Sequence, residues 1–174
     1  MEKCIPDIYT KNVYTINYEN LKDRGIKCIL FDLDNTLVPY NNSTISKKLI
    51  QLVEELKDMG FKVVIFSNNT KKRVEVFKKR LRVDCLVNAR KPFVRSYNRV
   101  MKLYNFDQSQ TVIIGDKLVT DILGGNKAGI TTILVNSISV YDSMWNKFLN
   151  IFQKNIEKKL SKKGLFTRGS YYER

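Results

Sequence analysis

The chain has 174 residues, of which 43% are apolar, and it is therefore long enough to fold as one domain with a substantial core. It contains no histidine, which excludes Ser-His-Asp and Cys-His catalysis, histidine-ligated zinc and phosphohistidine chemistry. Lys and Arg number 31 against 17 Asp and Glu, and the net charge of +14 attracts polyanions such as nucleic acid, an anionic membrane or phosphorylated ligands.

The apolar runs and the cysteines predict the cellular compartment of the protein. No apolar run approaches the length of a membrane span, and the first residues lack the apolar core of a signal peptide, so we expect a cytoplasmic protein. Cys4, Cys28 and Cys85 are odd in number and form no C-x-x-C pair. This pattern favours reduced thiols over disulfides or a zinc site.

Strand and helix patterns alternate through the middle of the chain, after an N-terminal arm of residues 1–26 that ends in a short helix closed by Gly25. We predict strands over 27–32, 62–66, 84–87, 111–114 and 130–135. Helices are predicted over 45–59, from 71 to about 80, over 93–104 and over 121–128. Such alternation predicts an α/β domain, residues 27–142, with a five-stranded, mainly parallel sheet covered on both faces.

The last part of the chain has a different pattern. Residues 143–163 have the spacing of one basic amphipathic helix, with Trp145 and Phe148 in its apolar stripe and six lysines elsewhere: Lys147, Lys154, Lys158, Lys159, Lys162 and Lys163. Two interpretations stay open, because such a stripe can cover a sheet or lie in an anionic membrane interface. The polar segment 164–174 is expected to be disordered.

Polar side chains gather where the predicted strands or their loops end. The clusters are Asp32 with Asp34, Ser67 with Asn68, Lys91, and Asp116 with Asp121. Each cluster alone is typical of turns and helix caps. In a parallel sheet, however, these places meet at one edge, where ligands bind. Two neighbouring carboxylates there need positive charge, which a metal ion and a lysine could supply.

The four clusters, in this order, resemble the motifs of the haloacid dehalogenase (HAD) superfamily. The matching stretches are Asp32-Leu-Asp-Asn-Thr36, Ser67-Asn68, Lys91-Pro92 and Gly115-Asp116-Lys-Leu-Val-Thr-Asp121, which span about residues 27 to 135. The resemblance implies a Rossmann-like, three-layer α/β/α fold. The stretches between Asp32 and Ser67, and between Ser67 and Lys91, are too short for an inserted domain, so we expect no cap domain.

The resemblance also implies roles for these residues. Asp32 would attack phosphorus as the nucleophile, and Asp34 would serve as general acid and then general base. Ser67 and Asn68 would contact the phosphoryl oxygens, and Lys91 would balance negative charge.

The resemblance further implies a magnesium-dependent phosphatase. Mg²⁺ would be held by the side chains of Asp32 and Asp116 and by the backbone carbonyl of Asp34. Thr36 and Asp121 would support that metal site without binding the ion.

Finer details resemble one group within the superfamily, the subfamily IIIA, YqeG-type phosphatases related to phosphatidylglycerophosphate phosphatases. The details are the Pro6-Asp7 arm, Asp32-Leu-Asp-Asn-Thr-Leu37, Ser67-Asn68-Asn69, Ala89-Arg90-Lys91-Pro92 and residues 114–126. The resemblance implies removal of the terminal phosphate of phosphatidylglycerophosphate. The basic C-terminal helix and the basic runs 71–73 and 78–80 fit peripheral contact at the inner face of an anionic membrane. Alternatives stay open: a phosphatase acting on nucleic-acid ends or small metabolites, or a non-catalytic phosphate-binding protein. Nucleic acid is less favoured, because no nucleic-acid-binding module is present, and the sequence does not indicate an oligomeric state.

Overall fold

A computed structural model describes residues 1–139 and 144–173, and within the last helix it describes side chains from residue 148 onward. The strands of this part of the chain are β1 (Ile8–Tyr9), β2 (Cys28–Phe31), β3 (Lys62–Phe66), β4 (Asp84–Leu86), β5 (Thr111–Gly115), β6 (Thr131–Leu134) and β7 (Tyr172–Glu173). Its α-helices are α1 (Tyr18–Asp23), α2 (Lys47–Asp58), α3 (Lys71–Leu81), α4 (Val94–Tyr104), α5 (Leu123–Ala128) and α6 (Met144–Lys162). A π-helical turn, Leu118–Ile122, precedes α5.

The seven strands form one sheet in the order β4-β3-β2-β5-β6-β1-β7. All neighbours are parallel except β1 and β7, which are antiparallel. From β2 the chain moves first towards β4 and then returns to β5 on the other side of β2. The strand order therefore reverses between β2 and β5, and a crevice forms above the carboxyl ends of strands at such a point.

The central strands are buried on both faces, as their continuous apolar runs predict. Ile29 and Phe31 of β2 face one apolar layer, which contains residues of α2 and α3. Leu30 faces the opposite layer, where Phe66 and Tyr97 pack with their ring centroids 4.7 Å apart. The three-layer α/β fold predicted from the sequence is confirmed, and the connections between β2 and β4 add only loops and helices to the described chain.

The strand count differs from the prediction, because seven strands form where five were expected. The two additional strands, β1 and β7, contain two residues each, and so short a segment has no periodicity to detect. β1 comes from the N-terminal arm, which is therefore part of the sheet: Ile8 pairs with Ile133 of β6, and Tyr9 is 1% exposed.

The C-terminal segment is packed, and the prediction of a disordered tail is wrong for residues 164–173. Phe166 is 2% exposed, with its ring centroid 5.3 Å from that of Tyr9. Gly169 N donates a hydrogen bond to the Tyr9 hydroxyl (3.0 Å), and Tyr172 pairs with Tyr9 in the sheet. Phe166 of this polar segment packs in an apolar cluster with Leu160 and with Tyr9, which comes from a distant part of the chain.

The apolar stripe of α6 divides into an inner and an outer part. Leu160 is fully buried, whereas Phe148, Ile151 and Phe152 are 52%, 60% and 51% exposed. The stripe therefore covers the domain only in part. The predicted contributions of Ser143, Trp145 and Lys147 lie outside the described residues and side chains. Among the described helices, none combines the length and the apolar character needed to cross a bilayer.

Candidate active site

The segments that follow β2, β3, β4 and β5 surround a cavity of about 250 Å³ at the point where the strand order reverses. Six of the residues predicted from the sequence line it: Asp32, Asp34, Ser67, Asn68, Lys91 and Asp121. The fold thus brings together side chains that are up to 89 positions apart in the chain. Asp116 lies beside this cavity and lines a second one, which is described below.

Lys91 is the positive centre of the site. Its Nζ donates to Oδ1 of Asp32 and to Oδ1 of Asp121, each at 2.6 Å, and its side chain is 2% exposed. Burial lowers the pKa of this ammonium, but Asp121 and then Asp32 outweigh burial and raise the pKa above its ordinary value. Lys91 therefore keeps its proton and its charge inside the protein.

Asp32 is a buried carboxyl that shares Lys91 with Asp121 and lies close to Asp116. The pKa of its carboxyl is raised to about 7, first by burial and then by Asp121 and Asp116, although Lys91 lowers it. Thr36 Oγ1 donates to Asp32 Oδ2 (3.1 Å) and lies 3.5 Å from Asp116 Oδ1. A further cation beside these carboxylates would lower the pKa of Asp32.

The donor set of this cluster fits a hard divalent cation. Asp32, Asp116 and Asp121 each have a carboxylate oxygen within 4.8 Å of the others, and all three side chains are buried. Oxygen ligands of this kind suit Mg²⁺. The ammonium of Lys117 is 3.4 Å from Asp116 Oδ2, at the side of the cluster. The residues present therefore fit the magnesium ion that the sequence resemblance implies.

Asp121 is held by several donors at once. Besides Lys91, the backbone N–H of Lys117 (3.1 Å) and the hydroxyl of Thr120 (3.3 Å) donate to its carboxylate. The carboxylate packs on Gly115, where an added Cβ would lie 2.3 Å from Asp121 Cγ. The Gly115-Asp116 sequence thus leaves room for Asp121 to reach Lys91.

The side chains that follow β3 serve as supports in the structure. The Asn68 amide accepts a hydrogen bond from Lys91 N (2.7 Å) and donates to Lys91 O (3.2 Å), which fixes the backbone that carries the lysine. Ser67 Oγ accepts from Asn69 N (3.0 Å) and faces the cavity. Phosphate binding by Ser67 and Asn68 stays a prediction.

Asp34 has two partners that the sequence analysis did not identify as site residues. Arg73 donates to Asp34 Oδ1 from Nε (3.0 Å) and from Nη2 (2.9 Å), and Asn69 Nδ2 donates to Oδ2 (3.0 Å). Arg73 is in the first turn of α3, in a run of three basic residues. Nothing local distinguishes it from its exposed neighbours, so only the fold reveals its contact with Asp34.

A second cavity of about 370 Å³ adjoins the first, and Lys117 lines both. Asp116 lines it on one side, and Gln153 and Lys154 of α6 line it on the other. Gln153 Oε1 accepts a hydrogen bond from Leu118 N (2.9 Å), at the start of the π-helical turn that contains Asp121. The C-terminal helix is therefore tied directly to the segment that forms one wall of the site.

Sequence comparisons relate the chain to known phosphatases. A family model described as "Mitochondrial PGP phosphatase" matches residues 1–139. The chain is 39% identical to "Probable phosphatase YqeG" of Bacillus subtilis over 160 residues, which cover 92% of this chain and 93% of that protein. It is 26% identical over 144 residues to "Phosphatidylglycerophosphate phosphatase 1, chloroplastic/mitochondrial" of Arabidopsis thaliana, covering 78% of this chain and 41% of the plant protein.

A solved structure extends the agreement to the fold. It is that of a Legionella pneumophila protein described as a "HAD superfamily (subfamily III A) hydrolase", and it superimposes with a TM-score of 0.51 at 17% identity. The match covers 71% of this chain and 75% of that protein. The family model covers most of the chain, so the chain belongs to the mitochondrial PGP phosphatase family and is a phosphatase, with the fold of that HAD structure.

Proposed function

We propose that the chain removes the terminal phosphate from phosphatidylglycerophosphate at a membrane surface, through an aspartyl-phosphate on Asp32. The observation that carries the chemistry is the Lys91 ammonium, 2.6 Å from Asp32 Oδ1 at the base of an open crevice. A buried lysine beside a carboxylate lets a negatively charged phosphoryl group approach that carboxylate. The name of the family and that of the Arabidopsis relative support the choice of substrate.

The reaction has two steps. In the first, an Asp32 oxygen attacks phosphorus, the bond from phosphorus to the ester oxygen breaks, and Asp34 gives its proton to the leaving oxygen. In the second, Asp34 takes a proton from water as the water oxygen attacks phosphorus, and the bond to Asp32 breaks. Free phosphate is released, and both aspartates return to their starting forms.

Asp32, Asp116 and the backbone carbonyl of Asp34 would hold Mg²⁺, which when bound supplies positive charge beside the phosphoryl oxygens. Asp121 and Thr36 then keep their supporting positions, since the hydrogen bonds of both side chains already join the three motifs. Ser67 lies across the cavity and would donate to a phosphoryl oxygen.

The outer face of α6 supports a substrate that is carried in a bilayer. Phe148, Ile151 and Phe152 are spaced as neighbours on one face of a helix, and all are half exposed. Exposed lysines accompany them on the same helix: Lys154, Lys158, Lys159 and Lys162. A basic helix with exposed aromatic rings suits an anionic lipid interface, where each basic residue contributes about 1 kcal/mol. Lys154 also lines the second cavity, so α6 itself lies beside the site.

Phosphate release from a panel of substrates tests the proposal. The panel contains phosphatidylglycerophosphate in mixed vesicles, a nucleotide, a 3′-phosphorylated oligonucleotide and p-nitrophenyl phosphate, each with Mg²⁺ or with EDTA. We expect magnesium-dependent turnover that is fastest on the lipid, and a loss of about 10⁴-fold or more in Asp32→Asn. A preference for the oligonucleotide or the nucleotide would favour the alternative phosphatases. If the wild type hydrolyses none of these substrates, the result would favour the non-catalytic phosphate-binding protein.

Sedimentation with phosphatidylglycerol vesicles tests the docking face. Replacing Phe148, Ile151 and Phe152 by Ser is expected to lower the bound fraction while turnover of p-nitrophenyl phosphate is kept. Leu103→Ser is the matched control, because Leu103 is an exposed apolar residue of α4 (64%). Equal binding by the triple variant, the control and the wild type would contradict docking through α6.

A further inference from the structure

We propose that Arg73 is a positioning residue for Asp34, and that it holds this carboxylate so that Oδ2 is the atom that gives and takes the proton. The inference rests on the proposed function, because it assigns a task to a residue that acts through Asp34. It starts from the ion pair between Arg73 Nη2 and Asp34 Oδ1, 2.9 Å apart, in which the side chains are only 15% and 10% exposed.

The hydrogen bonds of Asp34 distinguish its two oxygens. A carboxylate has about two acceptor positions on each oxygen. Oδ1 accepts from both Nε and Nη2 of Arg73, so both of its positions are used. Oδ2 accepts from Asn69 Nδ2 at 3.0 Å, and in the described part of the chain no second side chain donates to it. The acceptor position that remains open is therefore on Oδ2, and Asp34 lines the cavity.

The chemistry requires one atom of Asp34 to face the reacting groups twice. In the first step, a proton on Oδ2 passes to the leaving oxygen as the phosphorus–oxygen bond breaks. In the second step, Oδ2 receives a proton from the attacking water. An arginine donates only and does not lose its proton, so it can hold Oδ1 in place through both steps without competing for that proton.

Arg73 itself is held firmly. Its Nη2 is also within hydrogen-bond distance of the carbonyl oxygens of Asn42 (2.7 Å) and Pro39 (3.2 Å), which share its second N–H, and Nη1 donates to Ser43 Oγ (2.7 Å). Below it, the Phe77 ring centroid is 5.0 Å from the guanidinium carbon. The planar fork thus links Asp34 to the loop after β2, and a lysine could reach only some of these acceptors.

These contacts favour action through Asp34 over direct binding of substrate. The Arg73 donors point at Asp34 and at the loop, and Arg73 does not line the cavity that Asp32 and Lys91 share. A phosphoryl group at that cavity would meet Lys91, whose ammonium is directed towards Asp32. Arg73 is therefore expected to affect proton transfer and to leave phosphate binding unchanged.

Leaving-group dependence tests the inference. Single-turnover experiments with Mg²⁺ compare glycerol 1-phosphate, whose alkoxide must be protonated, with p-nitrophenyl phosphate, whose leaving group needs no proton. Arg73→Ala is expected to slow cleavage of the glycerol ester by about 10- to 100-fold, part of the 10²- to 10⁴-fold that general acid–base catalysis contributes. The p-nitrophenolate burst should stay within about threefold of wild type, although later steady-state turnover slows because the second step also uses Asp34.

Further variants complete the test. Arg73→Lys should restore part of the glycerol ester rate, and Lys72→Ala, which removes an exposed positive charge one position earlier, should match wild type. In an Asp34→Asn background, Arg73→Ala should cost less than about twofold, since residues that act as a unit are not additive. If Arg73→Ala unfolds below the assay temperature, Arg73→Gln replaces it in the same comparison.

The outcomes separate this inference from the proposed function. An equal loss on both esters, a full additional loss in the Asp34→Asn background, or no loss on the glycerol ester would each overturn the role of Arg73 and leave the phosphatase proposal intact. A wild-type chain that hydrolyses neither these esters nor phosphatidylglycerophosphate overturns the proposed function, and the role of Arg73 with it.

Discussion

The two halves of the sheet differ in how they are built. The half that contains β3, β2 and β5 carries the crevice, and its polar groups come from short motifs directly after strands. The half that contains β6, β1 and β7 joins parts of the chain that are far apart, such as Tyr9 and Gly169, which are 160 positions apart. In the crevice half, short local motifs supply the polar groups of the site. In the other half, contacts between distant parts of the chain hold the sheet together, and no sequence motif marks them.

Among the variants that compare the two halves of the sheet, the largest effect is expected from removing the charge at the centre of the crevice. Lys91→Met keeps most of the side-chain volume but leaves Asp32 and Asp121 without their shared partner. Breaking a buried ion pair in this way costs about 3–5 kcal/mol of unfolding free energy, and we expect turnover to fall by about 10³-fold. Urea unfolding and phosphate release measure the two effects.

A second variant sharpens that result. Adding Asp121→Asn to Lys91→Met removes one of the stranded carboxylates, so part of the lost stability should return while activity stays low. Wild-type turnover by Lys91→Met would contradict the central place of this ammonium in the crevice.

The second prediction concerns the other half of the sheet, where stability and activity should separate. Phe166→Ala leaves a cavity beside Tyr9 and should cost about 3–5 kcal/mol, with turnover of p-nitrophenyl phosphate within about threefold of wild type at a temperature where both are folded. Leu103→Ala, at an exposed apolar position, should cost less than about 0.5 kcal/mol. Thermal unfolding followed by circular dichroism measures both. If activity falls together with stability, the two halves are not separable.

The smallest predicted effect lies where the two halves meet. Gln153→Ala removes the acceptor for the buried N–H of Leu118 and should cost about 1–3 kcal/mol, the usual cost of an unsatisfied buried group. Turnover should fall only severalfold, because Leu118 begins the turn that positions Asp121. Asn155→Ala, exposed on the same helix, is the control for both measurements. Identical behaviour of the two variants would show that α6 does not support the site.

The crevice could be predicted from the sequence because each of its groups follows an apolar run. A strand of β2's composition must be buried, and carboxylates placed at its end must reach the same edge as those after β5. This argument correctly brought Asp32, Asp34, Lys91 and Asp121 to one cavity. Their chemical roles depend on the resemblance to a family and on the experiments above.

The remaining features depend on contacts that local patterns do not contain. Arg73 is one of three consecutive basic residues, and only the position of α3 against the loop after β2 directs it to Asp34. β1 and β7 have two residues each, which is too few for a period, and Phe166 is a single aromatic residue in a polar segment. Each of these residues contacts a partner that is distant in the sequence, so the contact can be recognised only in the folded structure.

The short outer strands of the sheet have a consequence for association between molecules. A long, flat edge strand offers unpaired backbone groups to a neighbouring chain and promotes aggregation. Here β4 contains three residues and β7 only two, and the β4 residue Asp84 pairs with Lys62 at 2.6 Å. The short outer strands, one of them with a charged pair beside it, thus give other chains little opportunity to extend the sheet.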